Sequence, residues 1–156
     1  MTKLVLEYQK NRVRRWIEEQ GVEIYYPAPT EKEIFLECLK DIPRLFPALF
    51  GYDQGLRLIY LYEQGNQPLD AICWKDVTMD GCGTLYAIGI ARGALQYPEY
   101  LKLLFLHELA HIAVPCERGT HSADYCRYLD DMIAVFNAAT GSQLVNDYDE
   151  NGKKQD

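Results

Sequence analysis

Pro98-Glu99-Tyr100-Leu101-Lys102-Leu103-Leu104-Phe105-Leu106-His107-Glu108-Leu109-Ala110-His111-Ile112-Ala113-Val114 is the stretch on which the reading of this chain turns. Pro98 suits the first turn of a helix and Glu99 the positive end of its dipole. The apolar run carries the helix to Val114, where Pro115 stops it. On that helix His107 and His111 are four residues apart, so their imidazoles leave one face, one turn apart, and can share an ion. Glu108 then sits beside the ion. A zinc ion lowers the pKa of a bound water toward 7, and a carboxylate next to it can take the water's proton as it attacks a carbonyl carbon, acting from outside the coordination shell.

A catalytic zinc site keeps one position open and takes three protein ligands, so a third is needed. His121 is the choice. It follows the helix stop and a loop and opens the next helix, so a chain reversal can return it to the first two. The chain has three histidines in all, every one between positions 107 and 121. Asp124 and Glu117 are the alternatives, with Asp130 and Asp131 behind them; Asp124 otherwise reads as a first-turn acid on the helix dipole or as an acceptor orienting a ligand histidine. Cys116 reads as a small buried thiol. Without a metal, the histidines would be buried groups satisfying carbonyls. However, two imidazoles and a carboxylate on so apolar a helix are costly to desolvate without a shared partner.

The rest of the chain is that of one soluble domain. Its 156 residues are 48% hydrophobic and 12% aromatic, enough for a core. We expect the domain to span 1–145, with a polar tail over 146–156. No apolar run reaches the roughly 20 residues of a membrane span, and the N-terminus does not read as a secretory signal. Five cysteines without a Cys-x-x-Cys pair fit neither a disulfide framework nor a zinc ribbon, which points to the cytoplasm. A net charge of −7 disfavours direct binding to nucleic acid; Arg12, Arg14 and Arg15 read as a solvated helix face.

The pattern predicts a helix from Lys3 to Gln20 capped by Gly21. A second starts at a Thr30/Glu33 capping box, buries Ile34, Phe35, Cys38, Leu39 and Ile42, and ends near Pro43. Three strand-like runs follow, Leu56 to Tyr62, Leu69 to Lys75 and Thr84 to Ile90, the last entered through the turn Asp80-Gly81-Cys82-Gly83. Past the 115–120 loop, Tyr125, Tyr128, Leu129, Met132, Ile133 and Phe136 keep a 3.6-residue rhythm up to Gly141, predicting a last amphipathic helix. Trp16 and Trp74 read as core. The expected fold is α+β, with a small, mostly antiparallel three-stranded sheet packed on the helix that holds His107 and His111, and flanking helices.

These residues resemble the zincin metallopeptidases, and within them the SprT-like group, whose His-Glu-x-x-His helix is followed by a third histidine in a His-Gly-x-x-Phe segment. Here that segment is His121-Ser122-Ala123-Asp124-Tyr125, with serine for glycine and tyrosine for phenylalanine. Gly83-Thr84-Leu85-Tyr86-Ala87-Ile88-Gly89-Ile90 looks like the strand that precedes the active-site helix, so the likeness covers about residues 55 to 139. The metzincin pattern is excluded by Val114 and Glu117, where it asks for glycine and histidine. The aspzincin element Gly-Thr-x-x-Asp is missed by one residue at Gly119-Thr120-His121-Ser122-Ala123-Asp124. The resemblance implies Zn²⁺ on His107, His111 and His121, Glu108 as general base and then acid, and hydrolysis of a protein or peptide laid along an edge strand, for which Thr84 to Ile90 is the candidate. Tyr125 and Tyr128 can donate to an oxyanion or pack in the core, and the helical stripe favours packing. A DNA-associated role is not inherited, since no DNA-binding or zinc-ribbon part accompanies the motif.

Three other functions compete. A regulatory protease cleaving a repressor-type partner would use the same chemistry. A non-catalytic zinc module has no need of Glu108 and would prefer four protein ligands. A metal-dependent nuclease fits poorly with the acidic charge.

Overall fold

A computed structural model of the chain describes residues 12–50, 56–65, 69–79, 83–114 and 121–146. Its elements are α1 (Arg12–Glu19), β1 (Glu23–Tyr25), α2 (Pro29–Leu39), α3 (Ile42–Leu45), β2 (Leu56–Glu63), β3 (Ala71–Met79), β4 (Gly83–Ala91), α4 (Pro98–Ala113) and α5 (Ala123–Thr140). Short 3-10 turns lie at Pro47–Phe50 and Arg92–Gln96. The class is α+β, as expected. Residues 3–11 of the expected first helix, the 80–82 part of the hairpin turn, the 115–120 loop with Cys116 and Glu117, Cys82, and the tail from 147 lie outside the described residues.

The sheet corrects the expectation of a mostly antiparallel, three-stranded one. All three expected strands form, but a fourth joins them in the order β1-β2-β4-β3, and the sheet is mixed. β1 pairs antiparallel with β2 and β3 antiparallel with β4, while β2 and β4 run parallel. β1 has three residues, too few to show an alternating pattern. The parallel pair arises because the chain leaves β2, forms β3 one place further out, and returns through a hairpin so that β4 fills the gap. At the end of β4 the backbone N–H of Ala91 donates to Asp70 O, just before β3, at 2.9 Å.

The same order overturns the expected docking edge. Thr84 to Ile90 is central, hydrogen-bonded on both sides, and Ala87, Ile88 and Ile90 are fully buried. A run apolar on both faces is the mark of an interior strand. The edge beside α4 is β3, which has an irregular register between Trp74 and Val77, two residues against one on β4, the count of a β-bulge.

Alternation along the strands divides the core into two layers. Ile59, Leu61, Ala71, Ile88 and Ile90 face the main cluster, built with α2, α4 and α5. Tyr60, Tyr62, Ala87 and Ala91 face a smaller one closed by Ile17 of α1, with Ile72 and Trp74 against it. In the small layer, Trp74 Nε1 donates to the Tyr60 hydroxyl at 2.5 Å and Tyr62 Oη donates to Leu69 O at 2.6 Å. Gly89 makes this layer possible, because a Cβ there would overlap the Tyr60 ring. Gly89→Ala is therefore expected to lower stability by about 3 kcal/mol, the upper part of the overpacking range. Urea unfolding monitored by tyrosine and tryptophan fluorescence measures it, and a loss below about 0.5 kcal/mol would show that the Tyr60 ring can move aside.

Helix ends follow local chemistry. Gly21 ends α1 at φ 91°, its N–H bonded to Glu18 O at 3.0 Å. α2 starts earlier than expected. Its N-cap is Ala28, Pro29 opens it, and Glu31 rather than Glu33 takes the Ala28 backbone N–H at 3.0 Å. The helix ends at Leu39, and Pro43 lies in the first turn of α3 instead of terminating α2. Ile34, expected in the core, is 46% exposed, while Phe35, Leu39 and Ile42 are buried. α5 matches its predicted rhythm, with Tyr125, Leu129, Met132, Ile133 and Phe136 buried and Gly141 capping it at φ 72°. After it the chain folds back. Asn137 holds Leu144 N and O through its side-chain amide, both at 3.0 Å, and the Asn146 amide reaches Cys126 O at 3.3 Å. Cys38, Cys73 and Cys126 are not in disulfides. Among the described residues no helix is long and apolar enough to cross a membrane.

Candidate metal centre

α4 is positioned by its buried side. Leu101, Phe105, Leu106, Leu109, Ala110 and Ile112 face the main core, and the helix packs on β3, β4 and α5. His107 and His111 leave the opposite flank, half-buried, with ring centroids 5.1 Å apart. α4 ends at Ala113, and the N–H of its C-cap, Val114, bonds Ala110 O at 2.9 Å.

His121 stands immediately before α5, at the residue preceding the N-cap. Ser122 is that cap, its hydroxyl accepting from Tyr125 N at 3.1 Å. A capping serine satisfies an orphan N–H and sets the direction in which the chain enters the helix. The His121 ring lies 5.0 Å from that of His107 and 5.1 Å from that of His111, centroid to centroid. One ligand atom from each histidine falls within 4.8 Å of the others, close enough for the three to bind a metal ion. Burial lowers the pKa of His121 from the usual 6.5, which favours the neutral form that binds metals.

The rivals for the third position fare differently. Asp124 lies on the exposed surface of the first turn of α5, paired with Arg127. It is not in the cluster of potential ligands, which among the described residues consists of the three histidines. Asp130 and Asp131 are likewise outside it. Glu117 and Cys116 lie outside the described residues.

Glu108 is the one buried charged side chain among the described residues, 7% exposed. Burial raises the pKa of the Tyr60 and Tyr62 phenols, and Glu108 adds a smaller push in the same direction.

Tyr125 has a part that the sequence did not show. Its ring stacks on His111 at 4.4 Å and 22°, lies 5.0 Å from His121 and 5.6 Å from His107, and its hydroxyl donates to His107 O at 2.7 Å. The ring is completely buried, so this hydroxyl serves the helix and not an oxyanion. A contact across 18 positions has no periodic signal in a sequence. Tyr128 packs, half-buried, against the main core. Tyr125→Phe keeps the stack and loses one hydrogen bond, so it should cost about 1 kcal/mol and barely change metal affinity. Tyr125→Ala removes the ring, and about 3–5 kcal/mol of stability with it, and should weaken metal binding measurably. Thermal melts with and without metal compare the two; equal metal affinity in both would deny the ring any part in holding the histidines.

A scan against protein-family models, a search of curated proteins and a search of solved structures each found no match to this chain.

Proposed function

We propose that this protein is a zinc-dependent metallopeptidase of the zincin type, closest to the SprT-like group. The observation that supports it is the convergence of His107, His111 and His121 within 4.8 Å, with Glu108 in the next position of the same helix. Three imidazoles suit zinc, and among the described residues no fourth ligand joins them, whereas a purely structural site would call for one. Zinc held by His107, His111 and His121 would supply Lewis acidity toward a scissile carbonyl and make water acidic enough to be activated near neutral pH. Glu108 then takes a proton from the attacking water and returns it to the departing amine, so one carboxylate serves as base and then acid. The substrate is a protein or peptide in extended form, and β3 is the strand edge placed to pair with it.

Metal removal tests this directly. Chelation should abolish cleavage of an unfolded protein such as reduced casein, and zinc should restore it; cleavage that survives chelation would end the metallopeptidase reading. The pH dependence has a definite sign. Protons and metal compete for the same imidazoles, so zinc is released on acidification. The lowered pKa of His121 keeps its neutral form available somewhat below pH 6.5. In the metal-free protein the unfolded chain takes up the His121 proton first as pH falls, so stability drops with pH through that window. Zinc occupancy followed from about pH 8 to about pH 5 should fall at the acid end; constant occupancy would exclude a histidine site.

A further inference from the structure

α4 carries a second feature on the same flank as its histidines. Tyr100 and His107 are seven residues apart, and a seven-residue step returns to within about 20° of the same direction on an α-helix. Between them lie the half-buried Leu103 and Leu104. The flank therefore runs Tyr100, Leu103, Leu104, His107, His111, apolar up to the metal cluster. At its far end three large side chains are open to solvent: Leu69 at 53%, Tyr97 at 62% and Tyr100 at 41% exposure. Leu69 lies just before β3, Tyr97 is the N-cap of α4 and Tyr100 lies in its first turn. The two ends are held together, since the Tyr100 hydroxyl donates to the Asp70 carboxylate, which also receives Gln64 Nε2 at 2.9 Å. The patch thus bridges the start of α4 and the start of the edge strand β3.

Resting on the peptidase reading above, we propose that Leu69, Tyr97 and Tyr100 form an apolar subsite for a hydrophobic or aromatic side chain of the substrate, the third residue after the bond that is cut. The spacing sets the number. Seven helical residues rise about 10 Å, which an extended peptide covers in about three residues. The direction follows from the strand. α4 starts beside the N-terminal end of β3, as the Tyr100 to Asp70 bond shows, and packs against that strand, so with α4 running along β3 the histidines lie further along it. A peptide added to β3 in the more stable antiparallel sense runs the other way, and its C-terminal part reaches the patch. Tyrosine rings joined to an aliphatic side chain offer apolar area with little entropy to lose on binding.

The test uses the zinc-loaded protein, a degenerate decapeptide mixture, and the double variant Leu69→Ser/Tyr97→Ser. Both of its sites are more than half exposed, so folding and zinc content should be unchanged, which melting and metal analysis verify. In the parent, cut sites should favour Leu, Phe, Tyr or Met over Asp, Lys or Gly at the third position after the bond, on the order of tenfold. The double variant should lose this preference while keeping its preferences next to the bond. Uncut peptides retained by zinc-loaded Glu108→Gln should show the same enrichment. Cleavage with no preference at that position, or a preference that the double variant keeps, overturns the subsite and leaves the peptidase reading standing. If the zinc-loaded parent cuts nothing and Glu108→Gln retains nothing, the peptidase reading fails and the subsite falls with it.

Discussion

Alanine at His111 or His121 should leave the protein without its metal. The parent is expected to hold about one zinc per chain, and the loss of one of three ligands should weaken binding beyond the roughly 10–100-fold seen when only outer-shell partners are removed. Stability reports the same event. Zinc at a hundredfold excess over its dissociation constant adds about 2.7 kcal/mol, which for a chain of this size raises the melting temperature by about 5–10 °C; in the variants that rise should disappear. Asp124→Asn serves as the control, because its carboxylate pairs with Arg127 at the surface and lies outside the histidine cluster. The arrangement is wrong if His121→Ala keeps its zinc while Asp124→Asn loses it.

Glu108→Gln should separate binding from chemistry. The amide has nearly the volume of the carboxylate and still fits a site that is 7% exposed, and it cannot accept a proton from water. Zinc content should be unchanged, while peptide hydrolysis should fall about 10²–10⁴-fold, the usual contribution of general base catalysis. Removing a buried charge should not destabilise the fold. A Glu108→Gln variant that cleaves as fast as the parent would remove this residue from the proposed mechanism, and a parent that cleaves nothing would favour a module that binds zinc without catalysis. Together with the histidine variants, the outcome distinguishes a missing metal from a missing base.

Much of the candidate site was legible beforehand because its parts are local. The four-residue step from His107 to His111 is a property of any α-helix, and Pro98 with Pro115 bounded that helix in the sequence. α5 was readable for the same reason, its apolar positions recurring every turn up to Gly141. Errors appeared where local rules compete. Thr30 followed by Glu33 has the spacing of a capping box, but Pro29 already fits the first helical position, and Glu31 reaches back to Ala28 N–H while also holding the Tyr25 hydroxyl. Ile34 satisfied helical periodicity, yet it falls on the solvent side, because several apolar residues on neighbouring faces do not say which face the core takes.

The sequence by itself determined the α+β class, the two long helices, three of the four strands and the three histidines that a metal ion would need, since each depends on residues within a few positions of one another. Tertiary structure alone decided the order β1-β2-β4-β3, the parallel pair, the place of β3 at the edge, the stacking of Tyr125 on His111 and the return of His121 to the other two. Backbone N–H and C=O groups are the same in every strand, so which strand lies beside which is settled by the burial of whole faces across long separations. The Tyr60 ring over Gly89 is one such contact, and no window along the chain contains both residues.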